Sequence, residues 1–260
     1  MKDNESSKAE PTLHTTRDGS HTLYSERFDQ FYHNPNGAVA ESKHVFFDST
    51  DIVERLAHDI DMTILEIGFG TGLNLLLLAD LHRKLNSISQ VIFQSIEAYP
   101  VTPEKARLFN FGEYLDHPEL GKSLSDIFGA LKFGQNEFTI SDHIQLHLFY
   151  GLFKDFEVPD LLANYIFHDA FSPGVNLDLW TGEVFQKLKS CSHPDVMLTT
   201  YGAASKARGA MSWAGWNVAR AQGALGKREM TIASLSPEKL SHLKRVNEKR
   251  LAKRYETGDF

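Results

Sequence analysis

The sequence predicts an α/β protein: a mostly parallel sheet with helices on both faces. Two observations carry this expectation. From Met62 onward, short apolar runs of strand length alternate with stretches of helical periodicity, the pattern of strands joined by crossover helices. At the first such junction, Leu65-Glu66-Ile67-Gly68-Phe69-Gly70-Thr71-Gly72-Leu73-Asn74 reads as strand, glycine-rich turn and helix start.

The elements follow in order. Residues up to about His21 are polar and read as loose or disordered. Residues 22–60 mix polar and aromatic side chains, with Asn34-Pro35-Asn36-Gly37 as a turn and 51–58 as a short amphipathic helix. Met62–Ile67 is the first strand of the alternation and 73–85 its helix. Val91–Glu97 is the next strand, and Thr102 caps a helix with Pro103 at its first position. Residues 110–140 break the alternation. The stretch 115–131 has helical spacing and no strand attached, so the region reads as a helical insertion. Strands follow at Ile144–Tyr150, 165–169 and 196–201, with helices at 177–188 and 203–214. Two strands, Asn217–Ala221 and 230–233, close the unit around a glycine-containing loop. The expected division is a loose segment 1–21, an N-terminal segment 22–60 lying over the active site, a sheet domain 61–235 and a basic tail 236–260.

Composition excludes several classes. A hydrophobic fraction of 42% over 260 residues is enough for a full core. No run approaches the roughly 20 apolar residues of a membrane span, and residues 1–11 are unlike a signal peptide, so cytoplasm is the expected compartment. Cys191 is the sole cysteine, leaving no intrachain disulfide and no thiolate cluster. No His-x-Glu or Cys-x-x-Cys spacing offers a metal site, and no Gly-x-Ser-x-Gly offers a nucleophile elbow. The net charge of −7 argues against a generic nucleic-acid coat protein. Basic residues nevertheless cluster late, at Lys206, Arg208, Arg220, Lys227 and Arg228, then at Lys239, Lys244, Arg245, Lys249, Arg250, Lys253 and Arg254. They read either as a solvated face or as contacts for a polyanion such as RNA.

The turn Glu66-x-Gly68-x-Gly70-x-Gly72 differs from the dinucleotide fingerprint, whose last gap is longer. Gly68 and Gly70 remove side chains where backbone must approach a ligand, and the following helix offers free N–H groups to an anion. The loop suits the amino-acid carboxylate of S-adenosylmethionine, with Glu66 on its amino group; the alternative is an ordinary βα turn with glycines for packing. Glu97, at the end of the second strand, is placed to accept two ribose hydroxyls. Asp169 ends the 165–169 strand at the same carboxyl-terminal edge. There it is positioned to hold an amine and remove its proton before methyl transfer. Phe171 and Trp180 offer flat surfaces for a base, or are core; His168 reads equally well as a core histidine.

These motifs together resemble the methyltransferase component of the bacterial enzyme that makes 5-methylaminomethyl-2-thiouridine at the tRNA wobble position. The resemblance runs from about Thr22 to Ala233. It rests on Phe31-Tyr32-His33, Gly37 with Glu41-Ser42-Lys43-His44-Val45-Phe46, residues 65–74, Ile96-Glu97-Ala98-Tyr99-Pro100, Asp169-Ala170-Phe171-Ser172-Pro173 with Leu179-Trp180-Thr181, Thr200-Tyr201 with Arg208, and Gly226-Lys227-Arg228-Glu229-Met230. It implies a class I, Rossmann-like fold with a seven-stranded, mostly parallel sheet, an antiparallel C-terminal strand, an N-terminal extension and a helical insertion. It implies S-adenosyl-L-methionine as cofactor, held by Glu66, Gly68, Phe69, Gly70, Thr71, Gly72, Asn74, Glu97, Ala98 and Asp169. Asp169 would meet the acceptor amine. Tyr32, Glu41, Lys43, Phe171, Trp180, Arg208, Lys227 and Arg228 would face the anticodon region of tRNA.

The chain departs from the family pattern in places. Gly151-Leu152-Phe153 replaces the usual Gly-Asp-Ala, whose Asp meets the adenine amino group. Ser172 replaces an Ala, His168 an apolar or aromatic residue, and the basic pair after Tyr201 is reduced to Arg208. In some bacteria the domain is fused to a flavin-dependent oxidase. This sequence carries no second glycine-rich nucleotide motif and is expected to methylate only. Two other readings remain at this point: a methyltransferase for another RNA or a small-molecule amine, and a non-catalytic RNA-binding protein with a degenerate pocket.

Overall fold

The computed structural model describes residues 10–158 and 162–260. The described chain begins as a hairpin, β1 (Thr12–Thr15) pairing antiparallel with β2 (His21–Ser25), and β3 (Gln30–Phe31) completes a small sheet. Thr16 and Ser20 both bond the Asp18 carboxylate across the hairpin loop, and Leu23 is fully buried beneath it. The expectation of loose chain up to His21 is therefore corrected for residues 12–21. Polar side chains that bond one another locally look like solvated chain in a sequence. The remainder of that expectation, residues 1–9, lies outside the described residues.

Next come α1 (Ala38–Ser42), which continues into a π-helical turn at Lys43–Asp48, and α2 (Ile52–Ala57). The alternation then starts with β4 (Met62–Ile67), α3 (Leu73–Lys84), β5 (Val91–Glu97) and α4 (Pro103–Ala106). The Thr102 side chain accepts from the Lys105 N–H with Pro103 in the first turn, as its residue type dictates. Residues 73–80 of α3 are buried on all sides, because the helix lies between the sheet and the N-terminal segment.

The expected insertion at 110–140 holds less helix and more sheet than its spacing implied. α5 (Ser123–Ala130) is its one α-helix, and β6 (Gly134–Ser141) pairs antiparallel with β7 (Ile144–Tyr150). β6 alternates half-buried and exposed residues. Being an edge strand, it buries one side lightly, and Gly134 and Asn136 on that side leave only Phe138 and Ile140 to show the period-two pattern.

β8 (Ala163–His168), α6 (Gly182–Ser190), β9 (Ser192–Thr200), α7 (Ser205–Trp213), β10 (Asn217–Ala221) and β11 (Met230–Ser234) follow, then β12 (Lys244–Arg245) and α8 (Glu248–Thr257). The large sheet runs β12-β10-β11-β9-β8-β4-β5-β7-β6. Its inner seven strands carry the expected plan: β7, β5, β4, β8 and β9 are parallel, and β11 is antiparallel to both of its neighbours. Short β12 and β6 extend it to nine.

The basic tail is part of this body. Tyr255 Oη accepts the Gly182 N–H at 2.8 Å and its ring lies 5.9 Å from Trp213. A Cβ added at Gly209 would stand 2.8 Å from Phe260 and 3.1 Å from the Leu251 carbonyl. Gly209→Val is therefore expected to cost about 2–3 kcal/mol by overpacking α7 against α8, lowering Tm by roughly 4–10 °C. Calorimetry checks this, and an unchanged Tm would mean that α8 detaches freely.

Candidate active site

Parallel strands send their carboxyl ends to one edge, and crevices form there. β4 ends in the glycine turn, β5 in Glu97-Ala98-Tyr99, β7 in Gly151 and β8 in Asp169-Ala170-Phe171. These loops line one cavity. Gly68, Gly70 and Gly72 all have left-handed φ, +96°, +54° and +77°, a run that only glycine sustains cheaply. At Gly68 the approach is also tight: a Cβ would lie 2.9 Å from the Asp169 carbonyl. The Asp169 N–H donates to the Ile67 carbonyl at 3.0 Å, so the first and fourth strand ends are locked together. Gly72 does not line the cavity; it lets α3 pack on Leu124 of α5.

Three carboxyl groups converge. Glu66 is buried behind the turn, its two oxygens accepting from Asn74 Nδ2 (2.9 Å) and Ser95 Oγ (2.7 Å). Burial pushes it up to about 8 despite those bonds. Asn74 Nδ2 also donates to Asp169 Oδ2 at 3.2 Å. Burial, and then the charges of Glu66 and Glu41, hold the Asp169 carboxyl well above the usual range. Glu97 accepts the Gly70 N–H (2.8 Å) and the Tyr99 N–H (2.7 Å), and burial raises it as well. The Gly70 amide is thus committed to Glu97. The amides open to an anion are those of the first turn of α3, Leu73 to Leu75, which have no intrahelical acceptor.

The N-terminal segment roofs the cavity with Phe28, Tyr32 and His33. The rings of Phe28 and Phe171 stack at 4.4 Å, Tyr32 meets Phe171 edge-on at 5.0 Å, and Arg27 lies 3.8 Å above Tyr99. Ile96, Ala98, Phe153 and Leu179 supply apolar wall, and Leu152 stays outside.

Of the residues singled out from sequence, Gly68, Phe69, Gly70, Thr71, Asn74, Glu97, Ala98, Asp169, Tyr32 and Phe171 line this cavity, with Glu66 directly behind Asn74. Lys227 and Arg228 line an adjoining groove with Arg220, Ser172, Pro173 and Gly202. Glu41 and Lys227 share a third cavity with Tyr32 and Tyr201. Besides Gly72, three placements differ from expectation. Arg208 is 3% exposed and bonds Thr231 Oγ1, Glu229 and the Met230 carbonyl, so its guanidinium fastens β11 and is closed to substrate. Trp180 is buried, and its indole N–H donates to the Phe171 carbonyl at 2.8 Å, shaping the wall from behind. Lys43 is exposed on the π-helical turn, lines none of these cavities, and its charge acts on Asp116. Sequence reading missed Phe28, His33, Tyr99 and Tyr201 as lining residues. All but Phe28 stand in motifs that carried the resemblance.

The crevice suits a ligand with positive charge. Burial raises all three carboxyls, neighbouring carboxylates add to it at Glu66 and Asp169, positive charge relieves both, and Asn74 Oδ1 is a buried acceptor without a partner. The residues present fit a sulfonium with an ammonium, a carboxylate and a nucleoside: Asp169 and Asn74 Oδ1 would accept from positive centres, the first turn of α3 would offer amides to a carboxylate, Glu97 would take the ribose, and Ile96, Ala98 and Phe153 would flank the base. Among the described residues no group of His, Cys, Asp or Glu is arranged to hold a metal, and no helix is long and apolar enough to cross a membrane.

The protonation of the crevice makes a stability prediction. Glu66 in the fold holds its proton to about pH 8, against 4.5 ordinarily. Between these values the folded state binds more protons than the unfolded chain. Stability without ligand is then full at low pH and falls as pH rises through that window, by at most about 1.4 kcal/mol per unit. Glu66→Gln is expected to flatten the fall, leaving the share of Asp169 and Glu97. Urea unfolding at pH 5.5 and 8 checks it; an unchanged slope would mean Glu66 is ionised in the fold.

Comparison with known proteins gives consistent matches. Residues 118–236 match the model of a family described as S-adenosyl-L-methionine-dependent methyltransferase. The tRNA 5-methylaminomethyl-2-thiouridine biosynthesis bifunctional protein MnmC of Cupriavidus metallidurans is 33% identical over 234 residues, covering 88% of this chain and 34% of the relative. The protein of that name from Leptospira interrogans is 31% identical over 227 residues, covering 83% and 34%. The chain thus spans about a third of the length of these relatives. Among solved structures, MnmC2 from Aquifex aeolicus superposes with a TM-score of 0.73 at 24% identity, covering 96% of this chain and 77% of that one, a shared fold.

Proposed function

We propose that this chain, which belongs to the S-adenosyl-L-methionine-dependent methyltransferases, methylates the primary amine of 5-aminomethyluridine or its 2-thio form at the tRNA wobble position. One observation carries the reading beyond the family: Asp169, a part-buried carboxyl held by Asn74, lines a crevice that adjoins a groove with Arg220, Lys227 and Arg228. The names of the relatives supply the acceptor class, and the groove supplies a path for a polyanion.

S-adenosylmethionine, when bound, supplies an electrophilic methyl on a sulfonium. The residues of this chain handle the acceptor. The amine arrives as an ammonium and must be neutral to attack. With a cation in the crevice the Asp169 carboxyl falls back toward its ionised form, where it first pairs with the ammonium and then takes its proton. The freed nitrogen lone pair would take the methyl, the N–CH3 bond forming as the S–CH3 bond breaks, to leave a secondary ammonium, which releases its extra proton to solvent, and a neutral thioether. Asn74 orients the Asp169 carboxylate throughout, and the aromatic roof of Phe28, Tyr32 and Phe171 excludes water.

Incubation with S-adenosylmethionine and tRNA bearing the aminomethyl group is expected to add the mass of one methyl to that nucleoside alone. Methylation of unmodified transcripts, or none with any of them, would overturn the acceptor. Replacing Lys227 and Arg228 together by Ala is expected to weaken tRNA binding and reduce the slope of log K against log salt by about 1–2. An unchanged slope would return both to a solvated face.

A further inference from the structure

Glu41, on α1, is buried at 7% exposure and has two partners from opposite ends of the chain. Its Oε2 accepts the Asn34 N–H at 2.6 Å, and its Oε1 accepts from Lys227 Nζ at 2.7 Å. That ammonium also lies 4.6 Å from the centre of the Tyr201 ring. Tyr201 Oη in turn donates to the Ala170 carbonyl at 2.8 Å, one residue from Asp169. The cavity holding this pair also has Asp29 in its wall, and it shares Tyr32, His33 and Tyr201 with the Asp169 crevice. Both charges of the pair reach Asp169: Glu41 pushes its carboxyl up and Lys227 pulls it down.

The two partners are unequally fixed. Glu41 is anchored by backbone and nearly closed to water. Lys227 is 40% exposed, carries a long flexible stem and sits on the loop with left-handed Leu225 and Gly226, beside Arg220 and Arg228. A phosphate entering that groove competes for Lys227. A buried carboxylate that loses its cation needs another, and the acceptor proposed above brings both charges at once, a phosphate and an ammonium. We propose that Glu41 recognises the positive charge of the acceptor amine, and that Lys227 occupies that position until a phosphate of the same acceptor draws it away. Lys227 then acts as a stand-in for the substrate cation, so Glu41 is unmasked only for an amine delivered on a nucleotide chain. The inference rests on the tRNA reading and adds the means by which it would discriminate polymer from free nucleoside.

The test compares aminomethyl-tRNA with free 5-aminomethyluridine, which has no phosphate. For the nucleoside, Lys227→Met is expected to lower KM by about tenfold, because the mask is gone; for tRNA the same variant is expected to raise KM. A mere phosphate contact would leave the nucleoside KM unmoved. Glu41→Gln is expected to erase the preference of binding for aminomethyl-tRNA over unmodified tRNA while keeping the salt slope. Lys227→Met leaves the Glu41 carboxylate unpaired, so thermal unfolding checks its fold, and the nucleoside KM of the folded variant decides by itself. An unchanged or higher nucleoside KM in Lys227→Met, with wild-type protein methylating aminomethyl-tRNA, overturns the exchange alone. Absence of wild-type methylation overturns the acceptor reading and the exchange with it.

Discussion

Asp169→Asn is expected to lower kcat on aminomethyl-tRNA by about 10²–10⁴-fold, the range for loss of a positioned general base, while the Kd for S-adenosylmethionine moves less than about tenfold. The asymmetry follows from geometry. Of the groups placed around the cofactor, Glu97, the first turn of α3 and the Glu66–Asn74 pair all remain, and only the charge of Asp169 is lost. Asn at 169 keeps the volume and accepts the Asn74 N–H through its carbonyl, so the locked strand ends are preserved. What disappears is a negative charge and a proton acceptor beside the amine. The pH profile separates this from a structural loss. If Asp169 removes the proton, residual activity in Asp169→Asn should climb with pH as solvent deprotonates the amine, whereas a distorted site would be low at every pH. Equal kcat in variant and wild type would remove Asp169 from the mechanism.

What was legible in the sequence is what local chemistry dictates. The glycine turn could be read because its glycines and the flanking apolar run all lie within a dozen residues, and β4, β5 and β7 begin and end where their apolar runs do. Glu97 and Asp169 follow from strand ends, because parallel topology fixes which edge a strand end reaches. The misplacements needed distance information. Arg208 stands in a cationic stretch, yet Met211 and Ser212, three and four residues on, are buried on its side of α7, and its partner Glu229 lies across a strand connection. Helical spacing contained half of that answer; the pairing with Glu229 is tertiary. β6 was hidden by an inner side on which only Phe138 and Ile140 are apolar, and the hairpin of β1 and β2 by polar side chains that satisfy one another. The roof residues Phe28 and Tyr99 are 71 positions apart in sequence order and meet only because the N-terminal segment folds back over the sheet edge, with ring centres 5.9 Å apart.

Gly68→Val is expected to abolish S-adenosylmethionine binding, with a loss of about 100-fold or more in affinity, and to destabilise the fold besides. Gly70, in the same turn, is less confined than Gly68. At Gly70 the nearest atom to an added Cβ is a Tyr32 ring carbon at 3.4 Å, a side chain with room to give. At Gly68 it is the Asp169 carbonyl oxygen at 2.9 Å, followed by the Asp169 carbonyl carbon at 3.3 Å and the Ala170 nitrogen at 3.6 Å, all backbone of a buried strand end. The φ of +96° adds about 1–2 kcal/mol of strain for a residue with a Cβ, more for a β-branched one. The two penalties have a common relief, separation of the β4 and β8 ends, and that movement carries Asp169 away from Asn74 and Glu66. Gly68→Val should therefore lose cofactor affinity, turnover and several degrees of Tm together. Gly70→Ala should cost mainly affinity, through the strain that a φ of +54° puts on the amide that holds Glu97. Titration calorimetry and thermal unfolding on both variants decide the order. If Gly68→Val bound the cofactor as wild type does, the close approach of the two strand ends could not be what shapes the crevice.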